Sequence, residues 1–99
     1  MSVNVAQENE QQVFKLKVYP NPVRFGTTFW VATRSSGVRS APEIKYLELL
    51  DASFNLLGKK KVKGDGVDVV ITDGIPGVYT IVAYDVNGNT HIGKVILKD

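Results

Sequence analysis

Polar and apolar residues alternate with a period of two through most of this chain, the spacing that sends successive side chains to opposite faces of a strand. The clearest run is Phe14-Lys15-Leu16-Lys17-Val18-Tyr19, with one apolar face and one face carrying lysine. Pro20 and Pro22 then remove ladder donors and end that strand. Thr27 to Thr33 is aromatic and β-branched, the composition of a half-buried strand. Lys45 to Asp51 predicts a third strand. A turn around Ser53-Phe54-Asn55 leads through Leu56-Leu57-Gly58 into a basic fourth, Lys59 to Lys63. Val67 to Thr72, Val78 to Tyr84 and Thr90 to Lys98 bring the number to seven.

The intervening stretches are turn chemistry. Arg34 to Glu43 holds Ser, Gly and Pro and reads as a loop, while Gly64-Asp65-Gly66 and Asp73-Gly74-Ile75-Pro76-Gly77 read as breaks. Asn87-Gly88 predicts a two-residue type I′ turn, which makes strands six and seven a hairpin. No segment keeps a helical period and no repeat is visible. The expected fold is therefore all-β, a β-sandwich of about seven antiparallel strands. Strand seven can be read either way round. Val95 and Leu97 are expected inward, with Lys94 and Lys98 reaching water over apolar surface.

Ninety-nine residues make one domain, placed at 13–99. Residues 1–12 are too polar to pack and are read as a linker or an expression-derived tail, the whole being the end of a longer protein. A net charge of +2 is too small a bias to imply nucleic acid. The absence of cysteine removes thiol catalysis, disulfides and cysteine-ligated zinc. No apolar run approaches the ~20 residues of a membrane-spanning helix.

Candidate chemistry is sparse. His91, the one imidazole, lacks a legible orienting partner or pocket and reads as a surface or edge-strand residue. Asp85-Val86-Asn87-Gly88-Asn89 begins like a calcium loop, but Thr90 and Ile96 stand where such a loop needs glycine and glutamate. Asp65, Asp68 and Asp73 could cluster at one end of a sandwich and bind a cation, but solvated turn carboxylates are the plainer reading. Lys59-Lys60-Lys61 with Lys63 could hold phosphate or an anionic glycan; lysines that guard an edge strand are the plainer reading. Trp30, beside Phe29, could stack on a sugar, but a lone tryptophan in a small sandwich is expected in the core. No nucleophile–base pair or ligand set can be assembled, so neither an enzyme nor a cofactor is expected.

Four segments remain, in fixed order: Tyr19-Pro20-Asn21-Pro22, Leu49-Leu50-Asp51 leading to Gly58-Lys59, Gly77-Val78-Tyr79, and Lys94-Val95-Ile96-Leu97-Lys98. Together they resemble the type A C-terminal sorting domain of the type IX secretion system of Bacteroidetes. Members open on a Tyr-Pro-Asn-Pro segment and carry an aspartate followed by Gly-Lys/Arg in the middle. A Gly-Val/Ile-Tyr segment comes next, and a lysine-flanked β-branched strand closes the domain. The likeness spans about Phe14 to the end. It departs in the long Arg34 to Glu43 loop, in Ser53-Phe54 at the middle turn, and in Asp99 after the last lysine.

The resemblance implies an immunoglobulin-like sandwich that acts as a non-enzymatic secretion signal. Its partners would be an outer-membrane translocon and a sortase-like peptidase cutting within residues 2–12. The cargo would reach the cell surface or the medium, and no nucleic acid or small-molecule substrate is expected. Recognition would fall on Lys94, Val95, Ile96, Leu97 and Lys98, by edge pairing of an exposed last strand or through its lysines. Tyr19, Pro20, Asn21, Pro22, Asp51, Gly58, Gly77 and Tyr79 would hold the scaffold. Open edges also leave room for a strand-mediated dimer. Two other readings stand beside this one. A carbohydrate- or adhesion-type module would use Trp30, Phe29 or Tyr84, and an immunoglobulin-like spacer would have no site at all.

Overall fold

The computed structural model describes residues 13–33 and 43–99. The expected linker at 1–12, and all of the expected loop but Glu43, lie outside the described residues. The strands are β1 (Val13–Lys15), β2 (Lys17–Tyr19), β3 (Val23–Arg24), β4 (Phe29–Ala32), β5 (Ile44–Leu50), β6 (Leu56–Lys61), β7 (Gly66–Val69), β8 (Gly77–Asp85) and β9 (Thr90–Lys98). One sheet runs β1-β9-β8-β5-β6, with β3 also on β9; the other runs β2-β4-β7. The fold is a β-sandwich, as the alternation predicts.

Nine described strands stand where seven are expected: the first segment splits in two, and a short extra strand, β3, follows the proline corner. Phe14 to Tyr19 is not one strand. β1 pairs with β9, the chain crosses at Leu16, and β2 pairs with β4 in the opposite sheet. Leu16 donates its N–H to the Ile92 carbonyl at 2.9 Å as it crosses. Gly93 makes room: a Cβ there would lie 2.9 Å from the Leu16 Cβ and 3.1 Å from Val18 Cγ2. The alternation survives the crossing because both halves turn their apolar side toward the same core.

The corner at Pro20 to Pro22, with both X–Pro bonds cis, returns the chain to the first sheet as β3. Both β1 and β3 run parallel to β9, so these two pairs depart from the expected antiparallel order. The fifth expected strand is shorter than its apolar run. β7 ends at Val69, and the Ile71 carbonyl instead accepts the Gly26 N–H at 2.7 Å.

The long β8–β9 hairpin carries the core. Tyr79, Ile81, Ala83, Val95 and Leu97 are buried from its inner face, against Phe29, Val31 and Val69 from the smaller sheet. Val95 and Leu97 thus point inward, as expected, and Lys94, Ile96 and Lys98 point out.

Candidate functional site

The hairpin register sets Gly77 opposite Leu97, Val78 opposite Ile96 and Tyr79 opposite Val95. Two of the four motif segments are therefore direct neighbours. The Tyr-Pro-Asn-Pro corner joins them through one side chain. Asn21 Nδ2 donates to the Lys94 carbonyl at 2.9 Å, and Asn21 Oδ1 accepts the Ile96 N–H at 2.9 Å. A carboxamide has the donor–acceptor pair of a peptide unit, so Asn21 acts as one link of a strand in the gap between β1 and β3. The Asp51 turn closes the group, with the Ala52 Cβ 3.7 Å from where a Cβ on Gly77 would sit. Residues spread from Tyr19 to Lys98 meet at one end of the sandwich.

Within this group the parts differ. Tyr79 is buried; its hydroxyl donates to the Ile75 carbonyl at 2.8 Å and its ring meets Phe25 edge-on. Tyr19, Pro20, Asn21 and Pro22 are exposed. Gly58 pairs with Leu49 and has open space around it, and Gly77 makes only the ordinary contact above. Nothing in the packing explains glycine at position 58.

β9 is not an exposed edge strand, which corrects one expected route of recognition. β8 takes one side. β1, Leu16, Asn21 and β3 take the other, from Thr90 through Lys98. What remains open is its outer face: Lys94, Ile96 and Lys98, with Val78 alongside. Neither lysine forms an ion pair with a described residue.

Asp51 builds the β5–β6 turn. Its Oδ1 accepts the N–H groups of Ser53 and Asn55, both at 2.9 Å, and Oδ2 accepts from Asn55 Nδ2 at 3.3 Å. The Asn55 amide, helped by that of Ser53, holds its carboxyl below the ordinary carboxylate range against a smaller opposing effect of desolvation.

Asp85 does the same for β8–β9. Its Oδ1 accepts from the Asn87 and Asn89 amides at 2.9 Å each, and its Oδ2 accepts from His91 Nε2 at 2.9 Å. Burial raises the Asp85 pKa, but His91 and the two amides together outweigh it and leave the carboxyl lowered. His91 is accordingly not a surface residue. It is buried, its ring stacked on Phe14 with centroids 4.7 Å apart. The turn is also not type I′: Gly88 alone has positive φ (84°), and its N–H bonds the Asp85 carbonyl. Diagonal placement of residues 85 and 91 across a tight hairpin was the available signal for this pair.

The remaining candidates separate cleanly. Phe29 is core, whereas Trp30 is half-buried on the outer face of β4, in register with the exposed Tyr19. Trp30 is therefore not the core residue expected. Tyr84 pairs with Tyr46, and its hydroxyl donates to Glu48 Oε1 at 3.1 Å. Lys59 to Lys61 lie on β6, the sheet's edge, as the charge run suggests. No cluster of three or more histidine and carboxylate side chains forms among the described residues, so Asp65, Asp68 and Asp73 do not converge. No protein-family model matches the chain, and none of the curated proteins is significantly similar to it.

Proposed function

We propose that residues 13–99 are a folded, non-enzymatic sorting signal that directs a cargo protein through a type IX secretion system to the cell surface. The observation that carries this reading is the convergence of three motif segments, with the Asp51 turn of the fourth, at one end of the sandwich. There they frame a strip of two ammonium groups, paired with no described carboxylate, around Ile96 and Val78. A receptor reads that strip by charge and aliphatic contact. Val95 and Leu97 serve by holding the strip on the core, and Asn21 by keeping β9 in place. The partners under this reading are an outer-membrane translocon and a sortase-like peptidase that cuts ahead of the domain.

The test is export of a reporter fused to residues 13–99 in a host with that system. Removing Val95 to Asp99 would take out two core residues, so surface variants are the sharper probe. K94E/K98E should leave the domain folded by circular dichroism and cut export by ~tenfold or more. Full export of this variant, or no export of the unaltered fusion, would refute the proposal.

A glycan-binding module is the second reading, and the pairing of half-buried Trp30 with exposed Tyr19 favours it. It requires a polysaccharide that quenches Trp30 fluorescence and loses affinity in W30A; the sorting reading predicts neither.

A further inference from the structure

The far edge of the larger sheet, β6, carries a feature that the sorting reading does not use, although Gly58 and Lys59 on it belong to the second motif segment. β6 pairs with β5, and no described strand pairs with its other edge. All six residues from Leu56 to Lys61 are exposed. Val62 donates its N–H to the Lys45 carbonyl, so alternation turns the amides of Lys60 and Gly58 toward β5 and those of Lys59 and Lys61 outward. Among the described residues nothing meets the outward donors and acceptors of this strand edge.

Among the described residues no ion pair compensates the charge on this edge. Glu48 stands opposite Lys59 but accepts the Tyr84 hydroxyl, and Lys59 Nζ lies 4.4 Å from the centre of the Tyr46 ring instead. Lys60 turns to the inner face and reaches the Asp68 carbonyl of β7 at 2.6 Å, tying the two sheets together. No described carboxylate forms an ion pair with Lys59, Lys60 or Lys61. Beside Lys61 opens a groove of about 540 Å³, its walls including Ile44, Tyr46, Val62 and Val86, with Glu43 as its one carboxylate.

We infer that the free edge of β6 is a docking edge for an extended acidic segment of a partner protein, which adds to the sheet as a further strand. Backbone pairing supplies the register. Lys59 and Lys61 share one face, so the segment carries Asp or Glu at alternate positions. An aliphatic side chain at its end by Lys61 fills the groove. A second copy of this chain is disfavoured, because pairing β6 with itself brings the lysines of both copies to one two-strand seam. An anionic polysaccharide would satisfy the ammonium groups and leave the edge amides unmet.

The test titrates the full chain with a blocked synthetic peptide of alternating glutamate and valine, and separately with dextran sulfate, following backbone amide shifts. The expected result is saturable, salt-sensitive peptide binding with the Lys59 and Lys61 amides moving most. K59E/K61E should weaken it by ~tenfold or more. K61Q and K61P remove the same charge, but only K61P removes the outward N–H, without touching the β5 ladder. K61P should therefore bind at least ~fivefold more weakly than K61Q. Peptides N-methylated at one set of alternate residues should fail while the other set binds, a check that leaves the protein unaltered. Equal loss in K61P and K61Q with no effect of methylation would overturn the inference. So would dextran sulfate binding with the same variant profile, an edge occluded in a concentration-dependent dimer, or no peptide binding.

Discussion

The β5–β6 and β8–β9 hairpins turn through the same five-residue device in two different settings. Asp51-Ala52-Ser53-Phe54-Asn55 and Asp85-Val86-Asn87-Gly88-Asn89 each begin with an aspartate whose Oδ1 gathers the amides two and four residues on. In both, the backbone N–H of the fourth residue bonds the aspartate carbonyl, and the aspartate N–H bonds the carbonyl of the fifth. In both, that fourth residue alone has positive φ, 64° at Phe54 and 84° at Gly88. The turns part at two points. The second oxygen of Asp51 meets an exposed asparagine, while that of Asp85 meets the buried His91. The left-handed position holds phenylalanine in one and glycine in the other. A short carboxylate side chain thus writes the turn wherever it occurs, and burial decides whether the turn also braces the core.

The largest break in this comparison should come from D85A. It leaves His91 without its buried partner and frees two amides, which should cost about 3 kcal/mol in urea unfolding. D51A removes the same number of backbone partners from an exposed turn and should cost clearly less. A larger loss for D51A would mean that the buried pair contributes nothing beyond the turn.

Next comes acid. Both aspartates have folded pKa values below their unfolded ones, so their contribution is present above the ordinary carboxylate value of ~3.9 and is lost as pH falls through the lower folded value. Thermal stability should therefore hold near neutrality and drop below about pH 4. In D85N that drop should be shallower. An identical acid profile in D85N would remove Asp85 from the account.

The smallest effects should come from exchanging the fourth residues. Phe54 is 70% exposed and loses little contact on substitution, so F54G should stabilise by roughly 1 kcal/mol by relieving its left-handed backbone. G88A should destabilise by about the same amount in the same assay. If F54G destabilises, the phenylalanine ring has a packing role that its exposure conceals.

Much of this molecule is legible along the chain. The period of two located the strands, because a pleat alternates its side chains whatever the partner. Asn87-Gly88 marked the hairpin, and the hairpin placed Gly77-Val78-Tyr79 beside Lys94 to Lys98. The turn departs from the type I′ form that Asn-Gly favours, because the Asp85 carboxylate captures the Asn87 amide and leaves only Gly88 left-handed. His91 looked solitary because its partner lies across a turn on the inner face.

Other features had no local signal. Nothing around Leu16 says that the chain changes sheets there, since both halves keep their apolar side toward one core. Asn21 bonds Lys94 and Ile96 across more than seventy residues of chain. That contact exists because β1 and β3 leave a gap of the right width on β9. Local chemistry therefore determined which residues would be strands, turns and inward faces. Which strands met, in what direction, and which side chain closed the gap between them was decided by the tertiary structure. Pairing is a relation between distant segments, and a strand's own alternation is the same beside any neighbour.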